Sequence, residues 1–167
     1  MKEETNNKVL KIFKELLPYI IIIVVVVLIR TFFVTPVRVD GDSMYPTLKD
    51  NDIMILNKNG KLKRYKIVVL DYKEERLIKR LYGLPGETLE IKDGKILIDD
   101  KELEDDYGYG NTWDLEKVEL DKNECFVIGD NREVSGDSRY FGAVKCDEIE
   151  GTTSYTIFPF NRWGSKK

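Results

Sequence analysis

The sequence predicts a compact, mainly β domain carried behind one N-terminal apolar helix. Three observations make that prediction. Residues 16–34 carry a single charge, Arg30, over a length sufficient to cross a hydrocarbon core. Beyond them, about seven short apolar stretches alternate with turns built on Gly, Pro, Asn and Asp. No period of 20–50 residues recurs and no Gly/Ser linker divides residues 35–167, so that stretch reads as one domain.

In chain order, residues 1–15 are polar, with Lys2, Lys8, Lys11 and Lys14 set against Glu3, Glu4 and Glu15. Residues 16–34 are expected to form a transmembrane helix. The Ile/Val run from Ile20 to Val27 lies inside a stretch too long for a strand, and Arg30 near its end can extend to the headgroups. A cleaved leader would need small residues after the apolar run. That segment reads Arg30-Thr31-Phe32-Phe33-Val34-Thr35-Pro36, and the chain's one alanine is Ala143. The four lysines before the run outweigh Arg30 and Arg38 after it, which favours a cytoplasmic N-terminus and places residues 35–167 outside the membrane.

Strands are expected at residues 52–57, 66–71, 76–82, 88–91, 95–98, 124–129 and 151–158. Asp93-Gly94, between the fourth and fifth, is a hairpin signal. The acidic stretch at 99–123 has no assignable element. It reads as a small solvated cap in preference to a cation site.

Composition narrows the chemistry. A net charge of −3 argues against a nucleic-acid partner. There is no histidine, which removes Ser-His-Asp, Cys-His and His-metal mechanisms and leaves Lys, Asp, Glu or a terminal amine as a base. No metal or cofactor is expected. Cys125 and Cys146 are too far apart for a CxxC site; their apolar neighbours favour two buried thiols, with one disulfide as the other option.

Two stretches stand out against this background. In Asp40-Gly41-Asp42-Ser43-Met44-Tyr45-Pro46, Gly and Pro forbid regular structure around one serine, which suits a turn residue, a cap or an exposed nucleophile. Residues 129–142 pack Asp, Asn, Arg and Ser among three glycines after an apolar strand, as a polar loop or the supporting shell of a site. Among the lysines, Lys79 differs. On a strand it shares a face with Leu77 and Leu81 and neighbours Arg80, so burial and positive charge are both available to lower its pKa. Unaided, it also fits an edge-strand lysine whose stem packs while its ammonium reaches water.

Together, Gly41-Asp42-Ser43-Met44-Tyr45-Pro46-Thr47-Leu48, Lys79-Arg80-Leu81-Tyr82-Gly83-Leu84-Pro85-Gly86 and Gly129-Asp130-Asn131-Arg132 through Ser135, Asp137-Ser138-Arg139 and Gly142 resemble the bacterial type I signal peptidases, in that family's order and behind an anchor. The resemblance implies a β-rich catalytic fold shared with self-cleaving repressor-type proteases. It also implies a membrane-bound serine endopeptidase that removes signal peptides after small residues. Ser43 would be the nucleophile, Lys79 the general base and Ser135 the hydroxyl that orients it, with Asp130, Asp137, Arg139 and Arg80 in supporting ion pairs. Gly41 stands where some members carry a serine of the oxyanion hole, which points to the Gram-positive-like, lysine-based subtype. Met44, Tyr45 and Pro46 are candidates for substrate or membrane contact; the C-terminal Phe158, Phe160 and Trp163 fit the interface or the core equally. The implied partners are preprotein signal peptides, the lipid bilayer and the secretion translocon. A Ser/Lys protease with one dedicated membrane substrate, or a catalytically silent anchored binding module, are the alternatives.

Overall fold

The structure, a computed structural model, describes residues 2–32 and 34–166, with side chains from residue 11 onward apart from 29, 31, 32 and 34. Parts of the expected N-terminal segment and span therefore lie outside the described residues. The chain divides into two compact units, Met1–Thr35 and Pro36–Lys167.

The first unit is essentially one helix, α1 (Lys2–Phe32), with Pro18 inside it. It begins well before residue 16 and runs to Phe32, and Val34 opens the first strand. Pro36 favours the change from helix to strand, because the residue just before it, Thr35, is pushed toward extended backbone. Among the described residues no helix is long and apolar enough to cross a membrane.

The second unit is built on antiparallel sheets. The larger runs β1 (Val34–Arg38), β2 (Ile53–Asn57), β11 (Ile149–Phe158), β3 (Ile67–Tyr72), β4 (Glu75–Gly83), β9 (Glu124–Ile128) and β10 (Val144–Lys145), with β12 (Gly164–Ser165) beside β11. The smaller runs β7 (Lys101–Glu102), β6 (Lys95–Ile98), β5 (Thr88–Lys92) and β8 (Leu115–Glu119). The seven expected strands all form, and Asp93-Gly94 turns the β5–β6 hairpin with φ of 51° and 75°. The 99–123 stretch is not a bare loop. It supplies both edge strands of the small sheet, a placement its mainly polar composition hid.

Alternation along the strands divides the core into three clusters. One joins Val37, Val39, Met44 and Leu48 to Met54, Leu56, Ile67 and Ile78, binding the segment around Ser43 to β2–β4. A second lies where Tyr82 and Phe126 meet the small sheet. The third contains Val68, Leu81, Val127 and Cys125. Here the reading of two separate thiols is overturned: Cys125 and Cys146 are disulfide-bonded, with Cα atoms 5.3 Å apart. The cause is strand pairing across a distance that sequence cannot show. Val144 pairs with Cys125, and Cys146 N–H donates to the Asn123 carbonyl at 2.9 Å.

Candidate active site

Ser43 stands in a loop pinned where it leaves the sheet. Val39 N–H donates to the Asp52 carbonyl at 2.8 Å, and Asn51 N–H to the Val39 carbonyl at 3.0 Å. The buried Asp52 carboxylate receives Arg162 and the Lys49 N–H, and Arg162 also donates to the Thr47 carbonyl. Gly41 sits at φ +79°, a backbone state that side chains disfavour, and its N–H donates to the Asp50 carboxylate at 3.0 Å. Met44 and Leu48, both fully buried, anchor the turn in the core and leave Ser43 part-exposed at the cleft. Asn131 grips the turn from the other side: its N–H donates to the Ser43 carbonyl at 3.0 Å, its Nδ2 to the Asp42 carbonyl at 3.2 Å. The Ser43 N–H itself has no protein acceptor among the described residues, so a donor is available beside the hydroxyl.

Strand β4 delivers the lysine. Lys79 pairs in register with Val68, and Leu77 and Leu81, on the same face, pack in the cluster that Val68 belongs to. The side chain is 3% exposed, and its Nζ lies 2.7 Å from Ser43 Oγ. Burial pulls its pKa down to about 8; Asp137 opposes that shift, Arg139 adds to it, and Asp130 opposes it weakly. Arg139 is thus a cation that helps. Strand alternation sends Arg80 to the other face, where it makes a bidentate pair with Asp130 at 2.8 and 2.6 Å, both side chains fully buried. The Tyr107 ring covers its guanidinium at 3.7 Å.

The loop at 129–142 surrounds this pair. The fully buried Asp137 caps the short helix α2 (Ser138–Phe141), accepting from Arg139 N–H and Nε and, through its other oxygen, from Gly129 N–H at 2.8 Å. Ser138 Oγ accepts from Val127 N–H at 3.0 Å, fastening the loop to β9. Ser135 departs from expectation. It is buried beside Ser43, since a Cβ on Gly129 would lie 2.1 Å from Ser135 Oγ and 2.6 Å from the Ser43 carbonyl. Its hydroxyl nevertheless has no hydrogen-bond partner among the described residues, and the expected bond to Lys79 is absent. The amine is instead engaged by Ser43, while Ser135 Oγ is packed against Gly129.

A cleft of about 550 Å³ opens at Ser43, walled by residues 37–40 on one side and 75–79 on the other, with Met44 in its lining. Both walls offer strand edges. Among the described residues, β1 ends the large sheet, and β9 pairs with β4 only from Arg80 onward, leaving the outer edge of 75–79 open. An extended peptide can hydrogen-bond to such edges without any demand on its side chains.

Sequence reasoning missed three contributors. Asn131 lay inside a quoted motif but carried no sign that it would hold the Ser43 turn. Arg132, 1% exposed, links the Gly129 carbonyl, Tyr82 OH, Thr112 and Asp105. Tyr109, from the 99–123 stretch, forms a parallel bridge with Asn131 and packs edge-on against Tyr45 at 5.3 Å. Of the expected contact residues, Met44 is core, Tyr45 is half-buried and Pro46 is exposed. Phe158, Phe160 and Trp163 are exposed and cluster with one another, so the core reading of those aromatics fails.

Comparison with known proteins was consistent in direction. The family model described as signal peptidase, peptidase S26, matches residues 12–158. A signal peptidase I of Bacillus amyloliquefaciens is 39% identical over 85% of each chain. Signal peptidase I S of Bacillus subtilis is 35% identical over 96% of this chain and 97% of its own. The crystal structure of a signal peptidase I from Enterococcus faecalis superposes with a TM-score of 0.50 at 37% identity, covering 55% of this chain and 96% of that one.

Proposed function

The chain belongs to the signal peptidase family, peptidase S26, and is a serine endopeptidase; from that premise we propose that it cuts signal peptides from secreted preproteins after small residues, with Ser43 as nucleophile and Lys79 as general base. The observation that carries this reading is the 2.7 Å contact between Lys79 Nζ and Ser43 Oγ. With a pKa of about 8, roughly one lysine in ten is neutral at pH 7. Neutral Lys79 takes the hydroxyl proton as Ser43 attacks the scissile carbonyl, and the resulting ammonium gives that proton to the leaving amine. Lys79 then activates the water that hydrolyses the acyl-enzyme. Gly41 has no side-chain donor, so the oxyanion is received by the Ser43 N–H. Ser135, buried with an unused hydroxyl beside the Ser43 backbone, is the group proposed to hold the Lys79 ammonium once Ser43 is acylated.

The part of the substrate before the scissile bond fits the cleft between residues 37–40 and 75–79. Its apolar lining from Val37, Val39, Met44 and Ile78 suits small side chains. Anchoring is proposed for the apolar run at 16–34, whose described side chains at 16–28 are all exposed. The Cys125–Cys146 disulfide and the lysines before that run support a catalytic unit on the extracytoplasmic face. There the exposed Phe160 and Trp163 would meet the bilayer, near the secretion translocon that delivers the precursor. In a test with purified protein and a secreted precursor, Ser43→Ala abolishes processing; undiminished cleavage by that variant would sink the proposal.

A further inference from the structure

Among the described residues, the large exposed apolar side chains of the unit Pro36–Lys167 fall into just two groups. One is the C-terminal set at 155–163. The other is Tyr109, Trp113, Val134 and Tyr140, exposed at 52, 50, 63 and 64%. We propose that this second group is the surface that takes the first residues of the mature protein, those just after the scissile bond. The inference rests on the cleavage reading above.

Three features carry it. The first is continuity with the nucleophile. Tyr109 packs against Tyr45, two positions after Ser43, while its backbone bonds Asp130 and Arg132 at 2.7 and 2.9 Å, on either side of the Asn131 that grips Ser43. Val134 precedes Ser135. Tyr140 follows Arg139, whose guanidinium lies 5.8 Å from the rings of both Trp113 and Tyr140. The second is direction. The cleft that fits small residues before the bond is lined from 37–44 and 75–79 and by no residue of 105–142. A peptide leaving that cleft past Ser43 on the side of Gly129 and Asn131 passes over this loop.

The third is rigidity. The two segments are tied by Arg132 to Thr112 at 2.9 Å and by Asn111 N–H to Glu133 at 3.2 Å, and across them the Trp113 and Tyr140 rings meet edge-on at 6.3 Å, so the frame that carries the rings is set before a ligand arrives. Aromatic side chains on a fixed frame bind with little loss of conformational freedom. The occupant is thus an unfolded, extended stretch of the precursor, with preference for an apolar or aromatic residue soon after the bond. Because such contacts are remote from the reacting atoms, their binding energy is available to position the scissile bond.

The test uses the full chain in detergent and two peptides identical up to the cleavage site. One ends a single residue after it as an amide; the other continues for about six residues and includes an aromatic. The wild type is expected to cleave the longer peptide about tenfold more efficiently in kcat/KM, the value of one good aromatic contact. That ratio falls toward one in Trp113→Ala/Tyr140→Ala and returns in Trp113→Phe/Tyr140→Phe; Val134→Ser, on an exposed loop, lowers it in part. A wild-type ratio near one, a ratio unchanged in the variants, or an equal loss on both peptides would each overturn the inference, the last because it points to folding. In all three cases the wild type still cleaves, so the proposed function stands. Failure of the wild type to cleave either peptide would overturn both.

Discussion

Ser43 and Lys79 lie within 2.7 Å of each other yet come from opposite kinds of structure. Ser43 sits on an irregular turn, part-exposed at the mouth of a cleft and held mainly through its backbone. Lys79 sits in the middle of a nine-residue strand, 3% exposed and held mainly by what packs around it. The difference fits the two proposed tasks. A nucleophile must be reached by substrate, and Ser43 is held from below by Met44 and from the side by Asn131. A lysine base must be kept from water, because only desolvation and nearby positive charge make it neutral near physiological pH. Perturbing the turn should therefore cost little where backbone bonds survive, whereas perturbing the strand's surroundings should cost a great deal.

The largest effect is expected at the strand. Lys79→Arg keeps a positive charge and a long stem but cannot deprotonate, so cleavage of a precursor should fall roughly 10³-fold or more with the fold retained, read by steady-state kinetics. Substantial activity in that variant would show that the lysine acts as a fixed charge.

Next comes the frame behind the strand. Asp130→Ala removes the carboxylate from the fully buried Arg80 guanidinium and should lower unfolding stability by about 3–5 kcal/mol in urea titration. A loss under about 1 kcal/mol would mean that water reaches the guanidinium and the site is wetter than its burial implies.

The smallest effect belongs to the turn. Gly41→Ala meets no atom within 4 Å, so only the φ of +79° opposes it. The cost should be about 1 kcal/mol of stability. A loss several times larger would show that the turn is as tightly packed as the strand and would erase the contrast.

How much of this was readable from sequence also follows the contrast. The strand was legible. Alternation alone placed Lys79 between two leucines and assigned Arg80 to the opposite face, but gave no sign of Arg139, 60 positions later, which helps to lower the lysine's pKa. Hairpins with a local signal, such as Asp93-Gly94, were also legible. What depends on long-range pairing was not. The disulfide needed the β9–β10 pairing, the grip of Asn131 on Ser43 joins positions 88 apart, and the Arg162–Asp52 brace joins positions 110 apart. The 99–123 stretch was obscured for another reason. Its strands are sheet edges with mostly exposed side chains, so no apolar periodicity marks them. The hydroxyl of Ser135, unpartnered among the described residues, belongs to the same group, since the family resemblance gave its place in the site but not its bonds.

The central claim is that burial holds Lys79 ready to act as a base, and the pH dependence of kcat/KM tests it most directly. A base must be neutral to accept a proton, so activity is lost as pH falls through its pKa. The rate should be half-maximal near pH 8 and decline about tenfold per pH unit below it. A profile flat between about pH 6 and 9, or a midpoint near the ordinary lysine value of 10.5, would contradict the account.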